Sequence, residues 1–256
     1  MREDKIIESY TGVTPQRKKS KIPAKLDFWQ SATGLFLGLF MLAHLLFVSS
    51  ILISKEAMYK VTKFFEGSMI FGEAGEPRLV SVIVAIVIIA LVVHAFLALR
   101  KFPINYKQFL ALRVHKDLMK HGDTSYWAIQ AATGFAIFFL AMPHVFIMLT
   151  QPENIGPSAS SYRFYHQDFY LLYALLLFAV EFHGSIGLYR LCIKWGWFEG
   201  LGIKALRAIK LALTAFCLIL GIASYVAYMQ IGHGLDSSYS IQEYRIIDEH
   251  TQGKGE

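Results

Sequence analysis

Four histidines carry the chemistry that stands out in this 256-residue chain. His44, His94, His144 and His183 each lie inside a long apolar run, one per run, and a fifth apolar run has none. Imidazole is costly to place in hydrocarbon, so an intramembrane histidine calls for a functional reason. A single one is commonly a hydrogen-bonded packing residue; four, spread one per segment, fit that reading poorly. His115, His121, His166, His233 and His250 fall in connections or tails and need no special account.

Depth sorts the four. Counting about 1.5 Å per helical residue from the cytoplasmic end assigned below, His44 and His144 lie about 24 and 27 Å in. On the same scale His94 and His183 lie about 9 and 11 Å in. The result is an outer pair and an inner pair, with the layers about 15 Å apart. A zinc or binuclear iron site would require carboxylate or thiolate partners at the same depth, and the only acid within the runs is Glu181. A proton relay has no need of two matched pairs. Two imidazoles per layer in an apolar sheath suit a six-coordinate haem iron. With no C-x-x-C-H in the chain, such haems are non-covalent, of b type. The expected cofactors are therefore two b haems, the outer on His44/His144 and the inner on His94/His183.

A second pattern echoes the first. Gln30-Ser-Ala-Thr33-Gly34 precedes His44 by ten residues counted from Gly34, and Gln130-Ala-Ala-Thr133-Gly134 precedes His144 by the same interval. Ten residues span about 15 Å, which brings both glycines to the level of the inner pair. Glycine there lets a porphyrin face approach the backbone. Close helix–helix packing is the alternative, because Gly34 and Gly38 also form a G-x-x-x-G.

The elements that must position these residues are legible from composition. The chain is 55% hydrophobic, above the roughly 45–50% of soluble domains. Phe28 to Ile53, Leu79 to Leu99, Tyr126 to Thr150 and Leu211 to Gln230 contain no Asp, Glu, Lys or Arg, and Phe169 to Tyr189 contains only Glu181. About 20 apolar residues cross the hydrocarbon core as a helix. With the N-terminus inside, eighteen of the 25 Lys and Arg face the cytoplasm, as the positive-inside rule expects. The net charge of +6 thus reports orientation, and no nucleic-acid partner is needed to explain it. The polar start and the length of the first run argue against a cleavable signal. Cys192 and Cys217, the only cysteines, read as packing residues. The expected fold is an all-α membrane protein of five transmembrane helices, over about 28–53, 77–100, 124–150, 168–195 and 205–231. The first four form a bundle around two stacked b haems. Residues 1–27 are a cytoplasmic segment, 28–231 the membrane domain and 232–256 a periplasmic tail.

At this point the strings LDFWQSATGLFLGLF, HAFLALRKFPINY, HKDLMKHGDTS, IGPSASSYRF and LLFAVEFHGSIGLYRLCIKWGWF become informative. Through most of residues 7–200 the chain resembles the dihaem cytochrome b subunits of epsilonproteobacterial quinol:fumarate reductases. The stretch after about residue 231 is not distinctive. The resemblance implies a three-subunit complex in the bacterial inner membrane, with an FAD flavoprotein and an iron–sulfur subunit on the cytoplasmic side, and it admits a dimer of such heterotrimers. Menaquinol is then oxidised near the outer haem, and electrons pass through the inner haem, the iron–sulfur centres and FAD to fumarate in anaerobic respiration.

The resemblance also assigns residues. Glu66 matches an acid that takes a quinol proton; on its own, beside Lys63 and other charges, it reads as a solvated loop acid. Glu181 matches a group that transfers protons through the membrane. Its place two residues before His183 sets it about 200° around the helix, away from that haem, and the bland reading is a protonated acid bonded to a neighbouring helix. Gln30, Ser31, Trp127 and Lys194 match contacts of the inner haem, and Arg163 is a candidate for the outer one. Pro143, directly before His144, departs from the family pattern and predicts a kink there.

The same architecture serves a succinate dehydrogenase running in reverse, and a dihaem anchor of a hydrogenase or formate dehydrogenase is a further alternative. A transporter built on Glu181 would show inverted repeats and broken helices, whereas the echo between the first and third runs is parallel.

Overall fold

In a computed structural model of the chain, residues 12–13, 19–103, 105–119 and 122–252 are described. Most of the expected segment 1–27, and His121, lie outside the described residues. Nine helices longer than a single turn are present among them: α1 Ile22–Val48, α2 Lys55–Phe65, α3 Arg78–Leu99, α4 Tyr106–Met119, α5 Gly122–Thr150, α6 Pro157–His166, α7 Phe169–Trp195, α8 Gly202–His233 and α9 Ile241–Gln252. Sheet structure among the described residues is limited to one isolated bridge, Val13 to Lys19.

Five helices, α1, α3, α5, α7 and α8, are long and apolar enough to cross a membrane. They are apolar on every side, as helices facing lipid outward and cofactor or protein inward must be. Their outer faces carry bare side chains such as Val82, Ile89, Leu171 and Ile219. Local signals set their ends. Pro23 starts α1, where its missing N–H costs nothing. Gly196 ends α7 in the left-handed region at φ 67°, with the N–H of Trp197 returning to the carbonyl of Cys192 at 2.9 Å.

The packing order is α1 against α3, α3 against α5, α5 against α7, and α7 against both α1 and α8, so the first four spans close a ring. Inside the ring is a cavity of about 1310 Å³ in place of a packed core. The protein's own apolar core is displaced to the His44/His144 end, the one that the charge distribution leads us to expect outside. There Ile51, Met58, Phe164 and Tyr228 pack together, with Tyr173 and Tyr225 against them.

Three features bear on the sequence expectations. The connections and the tail hold helices α2, α4, α6 and α9, so residues 241–252 are docked structure. Helix α5 stays continuous through Pro143, so a bend there would leave the span helical on both sides. Glu66 is fully buried, unlike the solvated acid that its polar neighbourhood suggests.

Candidate functional site

Helix geometry delivers the four imidazoles to the cavity in the expected pairs. His44 and His144 face each other with ring centres 6.1 Å apart and planes at 78°. His94 and His183 do so at 6.4 Å and 90°. A metal bonded at about 2 Å to each of two imidazoles, with each ring centre roughly 1 Å behind its nitrogen, separates the centres by about 6 Å. Both pairs therefore match the span of one metal between two rings. Among the described residues no three His, Cys, Asp or Glu side chains cluster as a metal site. The remaining ligands would come from the cofactor, as a porphyrin supplies them.

Each inner histidine is held by the neighbouring helix. Nδ1 of His94 lies 3.2 Å from the carbonyl of Gln30 and 3.2 Å from the hydroxyl of Thr33. Nδ1 of His183 lies 2.8 Å from the carbonyl of Gln130. A donor Nδ1–H fixes the tautomer and leaves Nε2 with its lone pair toward the cavity, the usual arrangement for a ligating histidine. Both threonines return their own hydroxyl protons to main-chain carbonyls one turn earlier. On the outer layer the phenol of Tyr173 sits 3.2 Å from Nδ1 of His144.

The two glycines serve these same rings. A Cβ on Gly34 would fall 2.8 Å from Cε1 of His94, and one on Gly134 would fall 2.6 Å from Cε1 of His183. Glycine thus makes room for an imidazole edge, a use that neither porphyrin approach nor helix–helix packing had anticipated. The repeated Gln-x-x-Thr-Gly is a cradle for the histidine on the next helix, with glutamine carbonyl and glycine acting together.

The cavity wall also includes Gln30, Ser31, Trp127, Arg163, Glu181 and Lys194. At the inner rim Lys194, Arg100 and Lys101 share a single carboxylate, Asp27, at 3.4, 2.5 and 3.1 Å, and Lys194 also reaches the Ser31 hydroxyl at 3.2 Å. The side-chain Oε1 of Gln30 is buried without a partner. At the outer end Arg163 is 1% exposed. One nitrogen donates to the carbonyl of Asn154 at 3.1 Å, while Nε and the other terminal nitrogen have no protein partner. Burial pushes the Arg163 guanidinium below its ordinary value, with Tyr173 and Glu153 acting in the opposite sense. A buried cation with open donors is expensive unless an anion meets it.

Paired imidazoles, a cavity larger than the ~300–1,000 Å³ of ordinary single-ligand pockets, an apolar lining and an orphaned guanidinium together fit haem with its propionates.

Glu181 is buried on α7 and borders both this cavity and a second pocket of about 20 Å³ beside α8. Although offset from His183 around the helix, it still reaches the cavity wall. Its carboxylate is hydrogen-bonded to the thiol of Cys217, so that cysteine does more than pack. Glu66 stands apart: Thr62 and Phe65 of the same helix end line the cavity and Glu66 does not. It is ion-paired to Lys63 at 3.0 Å and to Arg245 of α9 at 2.8 Å. Arg245, Tyr173, Cys217 and the glutamine carbonyls were missed from sequence. Only the last carried a signal, the repeated Gln-x-x-Thr-Gly.

Five spans, four of them facing paired imidazoles in two layers, define a class: multi-pass membrane scaffolds built around bis-histidine sites. Comparison with known proteins narrows the class. The family model for succinate dehydrogenase/fumarate reductase transmembrane subunits matches residues 110–223. The fumarate reductase cytochrome b subunit of Helicobacter pylori strain J99 is 64% identical over 232 residues, covering 91% of both chains. That of Wolinella succinogenes is 53% identical over 252 residues, covering 97% of both. The chain belongs to the fumarate reductase cytochrome b subunits. It is accordingly a multi-pass subunit of the bacterial inner membrane.

Proposed function

We propose that this subunit oxidises menaquinol at its outer end and delivers the electrons inward, through two b haems, to an iron–sulfur subunit and an FAD flavoprotein that reduces fumarate. The observation that carries the reading is the pair of facing imidazole couples, 6.1 and 6.4 Å apart, in one cavity. Haem iron in each layer would supply one-electron transfer. The chain's own residues do the rest. His44 and His144 hold the outer metal, and His94 and His183 the inner one. The Gln30 and Gln130 carbonyls keep the inner rings in the ligating tautomer. Arg163 at the outer end, and Lys194, Ser31, Gln30 and Trp127 at the inner rim, accept the propionates and the porphyrin edge.

Proton handling falls to two acids. Glu66 takes the proton released by menaquinol at the outer end. It is one residue from Phe65 in the cavity wall, which supports that role. Glu181 moves protons across the bilayer so that outer oxidation need not dissipate the membrane potential. Its position between the cavity and a pocket able to hold about one water supports transfer, and the Cys217 thiol keeps its carboxylate oriented.

The deciding experiment is haem analysis of the detergent-extracted complex. Two low-spin bis-histidine signals and a haem-to-subunit ratio near two are expected, with iron–sulfur and flavin subunits copurifying. A preparation devoid of haem would refute the reading, and copurification with hydrogenase or formate dehydrogenase subunits would move it to another enzyme. For Glu181, E181Q is expected to keep both haems and to lose menaquinol-driven turnover. Unchanged turnover with unchanged proton uptake in proteoliposomes would remove that acid from the pathway.

A further inference from the structure

We propose that the C-terminal helix α9 is a working part of the outer site, with Arg245 the positioning residue for Glu66. The inference rests on the reading that Glu66 takes the menaquinol proton.

Glu66 is fully buried at the end of α2. One terminal nitrogen of Arg245 contacts both its carboxylate oxygens, at 2.8 and 3.0 Å. Lys63 adds a third contact at 3.0 Å and is itself tied to the carbonyl of Ala74 at 2.7 Å. Gly75, in the left-handed region at φ 68°, lets the following loop close over the glutamate: a Cβ there would meet Glu66 Cβ at 2.7 Å. The carboxylate therefore has a single fixed orientation, and α9 sets it.

Arg245 is itself placed by α9. Its other terminal nitrogen donates to the carbonyl of Ile155, and its Nε faces Glu249 at 3.3 Å. One turn along, Asp248 accepts from the backbone N–H groups of Ser158 and Ala159 at 2.9 and 3.3 Å, seating α9 on the N-terminus of α6. Lys63 also reaches Glu249 at 3.4 Å, and the Glu249 side chain is 46% exposed. Glu66 thus stands between the cavity wall and a solvent-facing acid, with both cations bridging the two carboxylates.

A buried ion cluster is a costly way to hold a helix in place, because well-packed apolar side chains do so as well or better. The outer end has such side chains to hand, in the cluster around Met58 and Phe164. Charges spent on Glu66 are therefore better explained by what Glu66 does. A carboxylate that accepts protons at each turnover has to be held in reach of the donor, directly or through one water; Glu66 lies one residue behind Phe65 of the cavity wall, and Arg245 supplies the two-oxygen hold.

The test uses the detergent-purified complex with all its subunits, assayed with a menaquinol analogue and, separately, with a reduced viologen dye that feeds the partner subunits directly. R245A is expected to lower the menaquinol-dependent kcat about tenfold or more, with KM, haem content and dye-driven activity unchanged. R245K, which keeps the charge but lacks the second nitrogen on the Ile155 carbonyl and the Nε facing Glu249, is expected to fall between R245A and wild type. If R245A turns over like wild type while E66Q is inactive, the positioning role is overturned and the Glu66 reading stands. If E66Q itself turns over like wild type, the Glu66 reading fails and takes this inference with it. Should R245A fail to assemble, R245K decides: a reduced kcat with both haems present supports the role, and a wild-type kcat overturns it.

Discussion

The inner histidines are defined as much by residues on the facing helix as by their own. With Gly34 and Gly134 bare, an imidazole edge fits where a methyl group would collide, and the adjacent carbonyl fixes the ring by its Nδ1–H. G34A or G134A is therefore expected to displace the ring, at a cost of about 1–3 kcal/mol typical of overpacking, and to lose or loosen only the inner haem. Haem content by spectroscopy should fall toward half, with the outer signal preserved; loss of the outer signal instead would contradict the cradle. H144A reverses the pattern, removing the outer ligand while the Gln130–His183 bond at 2.8 Å remains. An EPR spectrum that keeps both low-spin signals in H144A would disprove the outer pairing. At this scale the sequence was informative about ligands and less so about their supports. Type and depth located all four histidines. The carbonyl, phenol and thiol that orient His94, His144 and Glu181 come from other helices, and no spacing along one helix encodes a partner on the next.

At the scale of elements, the five spans were legible because lipid enforces long uncharged runs. The helices outside the membrane were not. Helices α2, α6 and α9 are short and mixed in polarity, and they owe their stability to docking against each other, which composition does not register. Helix α9 illustrates the point, since its sequence shows nothing beyond an Arg245–Glu249 pair at helical spacing. Its seat is electrostatic and depends on pH. Burial holds the Asp248 carboxyl above its ordinary value of 3.8, despite bonds from Ser158 and Ala159 and the charge of Lys55 acting the other way. The docked helix thus binds a proton more tightly than the free one. This contribution is complete below the unfolded value and is lost as pH rises through the folded one. Wild-type protection of the α9 amides relative to D248N should accordingly shrink as pH rises above the ordinary carboxyl value of 3.8. Hydrogen exchange of both proteins, compared as protection factors, checks the sign; an advantage growing with pH would refute it.

The whole molecule is a ring around space. Protein interiors normally reach the density of organic crystals, yet the first four spans enclose about 1310 Å³, and α3 has no buried residue at all. On the proposed function, haem is what packs against the inward faces of α1, α3, α5 and α7. The outer cap is different, because Ile51, Met58, Phe164 and Tyr228 close their own core, and Tyr228 further donates to the carbonyl of Val48 at 3.2 Å. Haem removal should therefore weaken the molecule unevenly. A ligand at about 1,000 times its dissociation constant stabilises the folded state by about 4 kcal/mol, so the depleted protein should melt well below the loaded one. Helix α3, packed on α1, α5 and the single turn at Pro152–Asn154 and lacking buried side chains, should lose its fixed position first. Spin labels on α3 and α8 should report distances that broaden on haem removal and sharpen on reconstitution. Labels on α6 and α8 should not respond, because Gly232 packs directly on α6 and His166 bonds the carbonyls of Gly232 and Leu235 at 3.0 and 3.1 Å. Equal broadening of both pairs would mean that the cap also depends on the cofactors, and that the division between a self-packed outer end and a haem-packed ring is wrong.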